Sequence, residues 1–259
     1  MSKAKDRSND RILRLSPDAP SADWAATPPR PGERLERLLD RLMAGDRHAC
    51  RELIREFLDE GHEAADAMHR LLWPACALLD DLSRRDQIAP IHHHCGTVLL
   101  SQLAQRLECA LGRNPARGVG LLVSSGPGAT EELAAELFSG LAEADGFETV
   151  FLGGGCESDD LYREIGLRKP RFFVSFAASG PDAPRLRRLI DSVRSHQPVA
   201  GLRIGVGGGV FRRAPGLADE IGADFAADTP FEMLEALRRL SGDPASCGSE
   251  RVGGRARAA

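Results

Sequence analysis

The sequence has no apolar run near the ~18 residues that a helical membrane span requires. No apolar stretch follows the charged residues Met1 to Asp10, so no secretory leader is expected. It also lacks a basic excess. Its 34 Lys and Arg stand against 38 Asp and Glu, a formal charge of −4, whereas a reader of duplex DNA carries a positive footprint. There is no C-x-x-C pair. Cys50, Cys76, Cys95, Cys109, Cys156 and Cys247 are scattered, which argues against a structural zinc site. Buried or idle thiols in a reducing cytoplasm are expected instead. No Ser/His/Asp spacing or nucleophile elbow is present, and no P-loop Lys follows a glycine turn. Asp159-Asp160 and Glu131-Glu132 are paired carboxylates, but acidic residues at helix starts have an ordinary electrostatic reason. A catalytic role is therefore not expected.

What is present is enough apolar material, 42% of 259 residues, for one large domain or two small ones. Residues 1–31 hold Pro17, Pro20, Pro28, Pro29 and Pro31 and read as a disordered leader. Arg11-Ile12-Leu13-Arg14-Leu15 and Trp24 within it are candidates for a short docking segment. Residues 32–111 read as a bundle of four or five helices. Leu35, Leu38, Leu39 and Leu42 recur at helical spacing, and Leu53, Ile54, Phe57 and Leu58 mark a second helix. A third pattern runs from Ala64 to Leu82, with Pro74 expected to start or kink a helix. Pro90 opens a long last helix bearing Val98, Leu99, Leu103 and Leu107.

From residue 118 the rhythm changes. Short apolar runs at 119–123, 149–152, 172–176, 203–206 and 224–226 alternate with helical segments, the last of them Pro230 to Leu240. That order implies right-handed crossovers and a doubly wound, five-stranded parallel sheet over 118–241. Residues 242–259 read as a disordered tail. Ligands of such sheets bind beyond the carboxyl ends of the strands. Three of those ends are glycine turns: Gly126-Pro127-Gly128, Gly153-Gly154-Gly155 and Gly207-Gly208-Gly209. Each is explained by turn chemistry alone; three on one edge point to a cleft. The first does not fit the dinucleotide fingerprint, because Pro127 removes a donor amide.

This order of bundle and sheet, with its motifs, resembles the cobalamin-binding module of methionine synthase, corrinoid carriers and light-sensing cobalamin repressors. The motifs are Leu42-Met43-Ala44-Gly45-Asp46-Arg47, Leu72-Trp73-Pro74-Ala75, Gly146-Phe147-Glu148-Thr149-Val150-Phe151-Leu152-Gly153, Ser175 and Val206-Gly207-Gly208-Gly209-Val210-Phe211. The resemblance covers about residues 35–240 and implies a helical cap over a flavodoxin-like α/β domain. Pro127-Gly128 is closest to the light- and redox-sensor branch. The family's Asp-x-His-x-x-Gly falls on Ala129, Glu131 and Ala134, so the lower axial His is replaced by Glu131, a harder ligand poorly suited to cobalt. The sensors' cap Trp falls on Ser83, and their Glu-His pair on His93 and His94.

The triplet His92-His93-His94 starts a helix, where successive side chains point about 100° apart, so the three cannot chelate one metal together. It reads either as structural or exposed, or as a contact to the cofactor. The resemblance puts His94 over the cleft as the metal ligand. The cofactor-binding set expected on these grounds is His93, His94, Gly128, Glu131, Ser175, Gly207 and Gly208.

The resemblance implies a non-enzymatic, antirepressor-like sensor in the cytoplasm. It would bind cobalamin, or another tetrapyrrole such as haem, and signal to a transcription regulator or other protein, with no direct nucleic-acid or membrane contact. A cofactor-free interaction adaptor and a corrinoid carrier for a methyltransferase are the alternatives. Cobalamin would keep its own dimethylbenzimidazole on cobalt or lean on a cap histidine. His94→Ala is expected to change the bound spectrum most, His93→Ala less and Glu131→Ala least. A bulky residue at Gly208 is expected to block the cleft without unfolding.

Overall fold

In the computed structural model, residues 31–242 are described. The expected leader, its docking segment, the tail and Cys247 lie outside them, except for Pro31 and Gly242. The chain opens with α1 (Pro31–Met43) and α2 (Arg47–Asp59). Leu38 and Leu42 share one face of α1 and are fully buried. Asp46 caps α2 by accepting the N–H of Ala49 at 3.0 Å, which satisfies one of the donors a helix start leaves free.

The third helical run differs from a plain helix. It consists of α3 (Ala64–Ala67), a π-helical turn (Met68–Leu72) and α4 (Trp73–Arg84). Pro74 has no N–H for an i→i−4 bond. The wider turn, in which Trp73 N–H reaches Met68 C=O, carries the chain into α4 without a break. Then follows α5 (Pro90–Glu108).

The α/β half is β1 (Gly120–Ser125), α6 (Ala129–Ala144), β2 (Glu148–Gly154), α7 (Ser158–Arg168), β3 (Phe172–Phe176), α8 (Asp182–His196), β4 (Arg203–Gly207), α9 (Gly209–Arg213), α10 (Leu217–Glu220), β5 (Phe225–Ala227) and α11 (Pro230–Ser241). All strand pairs are parallel, in the order β2-β1-β3-β4-β5. The doubly wound sheet expected from the alternation is therefore present. Helix α9 was not expected: the third glycine turn continues straight into it. The register of β1 on β2 slips between Val123 and Ser125, a local irregularity at the functional edge of the kind bulges produce.

The strands alternate their faces. Leu121, Val123, Phe172, Val174 and Phe176 face α6, α11 and the cap, and join one continuous core with Leu38, Leu72 and Leu100. Leu122, Phe173, Ile204 and Val206 face α7 and α8. The helical segment thus shares its core with one layer of the α/β fold. Phe138, Phe172 and Phe176 are fully buried there, each contributing about 2–3 kcal/mol by area. Among the described residues no helix is long and apolar enough to cross a membrane.

Candidate functional site

The strand order reverses between β1 and β3, so the crevice outside their carboxyl ends is where a sheet of this kind takes a ligand. Ser175 sits there, 3% exposed, and its hydroxyl accepts from Ser124 Oγ at 3.1 Å. The cavity that both residues line holds only about 30 Å³. The hydroxyl of Ser125, at the end of β1, is buried without a partner.

Glu131 lies in the first turn of α6. Its carboxylate is buried, accepts the Ala178 N–H at 3.0 Å and covers Gly128. The chemistry of this position is therefore a charge-assisted hydrogen bond that ties α6 to the turn after β3. Arg213, from α9, donates to the carbonyl of the same Ala178. Gly207 packs against the Phe176 ring, and Gly208 backs onto the Ala177 carbonyl. Gly128, Ser175, Gly207 and Gly208 gather at one edge.

The three histidines diverge as their helical spacing requires. His93 is half-buried, with Nε2 3.4 Å from Thr130 Oγ1 on α6. Burial and then the neighbouring His94 lower its pKa, so the neutral, ligating form is favoured at neutral pH. His92 and His94 are exposed. His94 opens onto a groove of about 630 Å³ between α5 and α6, lined also by Val98, Gln102, Glu132 and Phe151. No cluster of three or more metal-ligating side chains occurs among the described residues.

Around the cap's edge the charge is positive. Arg84, at the end of α4, is paired with Asp80 and Asp81. Burial, and then the charges of Arg213, Arg212 and Arg85, lower its pKa. Beneath Glu131, Cys76 is fully buried, and burial and the Glu131 charge push its pKa up to about 12. It is an inert thiol, as expected. The sequence reading missed Thr130, Ala178, Arg213 and the Phe rings. Only the strand register and the turn geometry bring them to this edge.

The seam between α5 and α6 carries a titratable group. Glu108 lies against Gly140, half-buried. Burial, and then Glu136 and Glu143, push its pKa up to about 7. A raised carboxyl pKa means that folding favours the protonated form. Its contribution is complete below the unfolded value and is lost as pH rises through about 7. Glu108→Gln is expected to match wild type near pH 4 and to be more stable at pH 8. Allowing for solvent screening of a partly exposed group, the gain is about 1 kcal/mol. Thermal melts at the two pH values check this.

Comparison with known proteins gives the site its context. Residues 34–105 match the B12 binding domain family. No curated protein sequence matches the chain. Among solved structures, the monomethylamine corrinoid protein of Methanosarcina barkeri superposes with a TM-score of 0.71 at 20% identity, over 82% of this chain and 100% of that one. A cobalamin-binding protein of Desulfitobacterium hafniense DCB-2 gives 0.42 at 16% identity, over 79% and 97%. The methanol:cobalamin methyltransferase complex of Methanosarcina barkeri gives 0.45 at 11%, over 82% and 80%. Residues 34–105 thus match the B12 binding domain family, and the chain shares the fold of the monomethylamine corrinoid protein.

Proposed function

We propose that this protein binds cobalamin where its helical cap meets the carboxyl edge of the sheet, and reports the state of that cofactor to a protein partner as an antirepressor-like regulator. The cofactor is supported by the B12 binding domain at residues 34–105. The observation that carries the reading is His93. It is a half-buried imidazole of the cap, held in its neutral form beside Thr130 at the first turn of α6. When bound, cobalamin supplies a cobalt centre whose axial ligation responds to light or redox state. The chain's part is to offer an imidazole from the cap and to keep Glu131 engaged with Ala178. A carboxylate so engaged is a poor substitute for a lower nitrogen ligand.

The partner is a transcription regulator or another signalling protein. A corrinoid-carrier role has one observation in its favour, the fold shared with the monomethylamine corrinoid protein. Glu131 speaks against it, because a carrier needs a tuned, labile lower ligand. The groove beside His94 favours a second use of the cap, since neutral imidazole is also the usual haem ligand.

Visible spectra of single variants loaded with hydroxocobalamin, and separately with haemin, test the reading. His93→Ala is expected to shift the bound spectrum most, His94→Ala less and Glu131→Ala least. This order puts His93 ahead of the His94 that the motif alone favours, because His93 is the half-buried one, with Nε2 3.4 Å from Thr130 Oγ1. Three wild-type spectra would make the cap histidines structural. A wild-type protein that takes up neither cofactor would leave the interaction adaptor.

A further inference from the structure

We propose that corrinoid recognition by this protein does not use the nucleotide tail, so that cobinamide, a corrinoid without nucleotide or benzimidazole, is bound as well as cobalamin. The proposal rests on the cobalamin reading above and names the ligand class that reading admits.

Cobalamin carries a long tail ending in an aromatic base. The base either sits on its own cobalt or must be housed elsewhere. A group entering a parallel sheet between its layers does so at the point where the strand order reverses, here between β1 and β3. That crevice measures about 30 Å³, room for about one water. Its walls are joined to each other. Ser124 Oγ donates to Ser175 Oγ at 3.1 Å, Asp182 accepts from both N–H and Oγ of Ser179, and Arg185 reaches Glu157 at 3.2 Å beside it.

Clearance for a flat ring would exist along β4, which carries glycine in place of a side chain at its middle, Gly205, and at its carboxyl end, Gly207. The chain fills it with its own rings. Gly207 stands opposite Phe176 in the β3–β4 register, and Gly205 opposite Phe225 in the β4–β5 register. A Cβ at Gly207 would lie 2.9 Å from the Phe176 ring, and one at Gly205 2.4 Å from the Phe225 ring. Phe176 is fully buried and packs on Phe138 with centroids 5.5 Å apart. Two glycines that would admit a ligand's aromatic base therefore admit phenylalanines instead. The tail is left on cobalt or in solvent, and in either state it adds no protein contact.

The test titrates the full chain with dicyanocobinamide and with cyanocobalamin, and records the spectrum of bound hydroxocobalamin. The expected result is two dissociation constants within about threefold of each other, with bound cobalamin retaining the bands of benzimidazole-coordinated cobalt. Cobalamin binding more than about thirtyfold tighter than cobinamide, or showing loss of benzimidazole coordination on binding, overturns the proposal. If neither corrinoid binds, the cobalamin reading itself falls, and this proposal with it.

Discussion

A Gly208→Trp protein is expected to be strongly destabilised rather than folded with an obstructed cleft. Gly208 has φ of +104°, in the region that side chains with a Cβ avoid at a cost of about 1–2 kcal/mol. A Cβ built there would lie 2.3 Å from the Ala177 carbonyl oxygen and 3.0 Å from its carbon. Those atoms are backbone at the end of β3, and they cannot swing aside as a side-chain tip can. The Ala177 N–H is itself bonded to Gly207 O at 2.9 Å. Strain and the displaced turn together cost about 4 kcal/mol or more, a fall in melting temperature of about 10 °C for a chain of this size. Even Gly208→Ala carries most of the penalty, because the clash begins at Cβ. A thermal melt measures both. A Gly208→Trp melt within a few degrees of wild type would mean that the β4–α9 turn adapts. The expectation of a folded, blocked variant is corrected on this ground: the glycine serves the approach of two strand ends.

The second large effect is expected at Asp145, far from that edge. Its carboxylate is 4% exposed and sits where α6 ends. Arg238 of α11 donates to both of its oxygens, at 2.6 and 3.0 Å. Arg117 pairs with it at 2.8 Å, and Asn114 reaches it at 3.3 Å. One acid thereby joins the segment between cap and sheet, the end of α6 and the last helix. Removing it takes the common acceptor from two half-buried arginines and from exposed Asn114, so Asp145→Ala is expected to cost about 2 kcal/mol. The urea midpoint should fall with an unchanged slope. Asp145→Asn keeps the shape and half of the acceptor capacity, and should cost less. An Asp145→Ala midpoint equal to wild type would mean that α11 is held by its apolar face alone.

The parts of the fold that were legible from sequence are those set by periodicity. Leu35, Leu38 and Leu42 repeat along a helix, and the runs at 119–123 and 172–176 are short and apolar, as buried parallel strands are. Pro74 marked a disturbance, but not that a π turn would absorb it. That depends on what Met68 and Leu72 pack against. The site was legible only as a location. Three glycine turns and Ser175 come together at the carboxyl edge of the sheet. The occupants of the clearance did not show, because Phe176 and Gly207 become neighbours only through a register set 31 residues apart along the chain. The same holds for the histidines. Their divergence follows from helix geometry, but which one comes within reach of Thr130 depends on how α5 lies against α6.

The central claim is that this chain holds cobalamin. The most direct measurement is to incubate the purified full chain with hydroxocobalamin, pass it through a desalting column and record the visible spectrum of the protein fraction. The account predicts that corrinoid absorption elutes with the protein, with bands shifted from free hydroxocobalamin and altered further by His93→Ala. A colourless protein fraction, with all of the corrinoid in the late fractions, would contradict it.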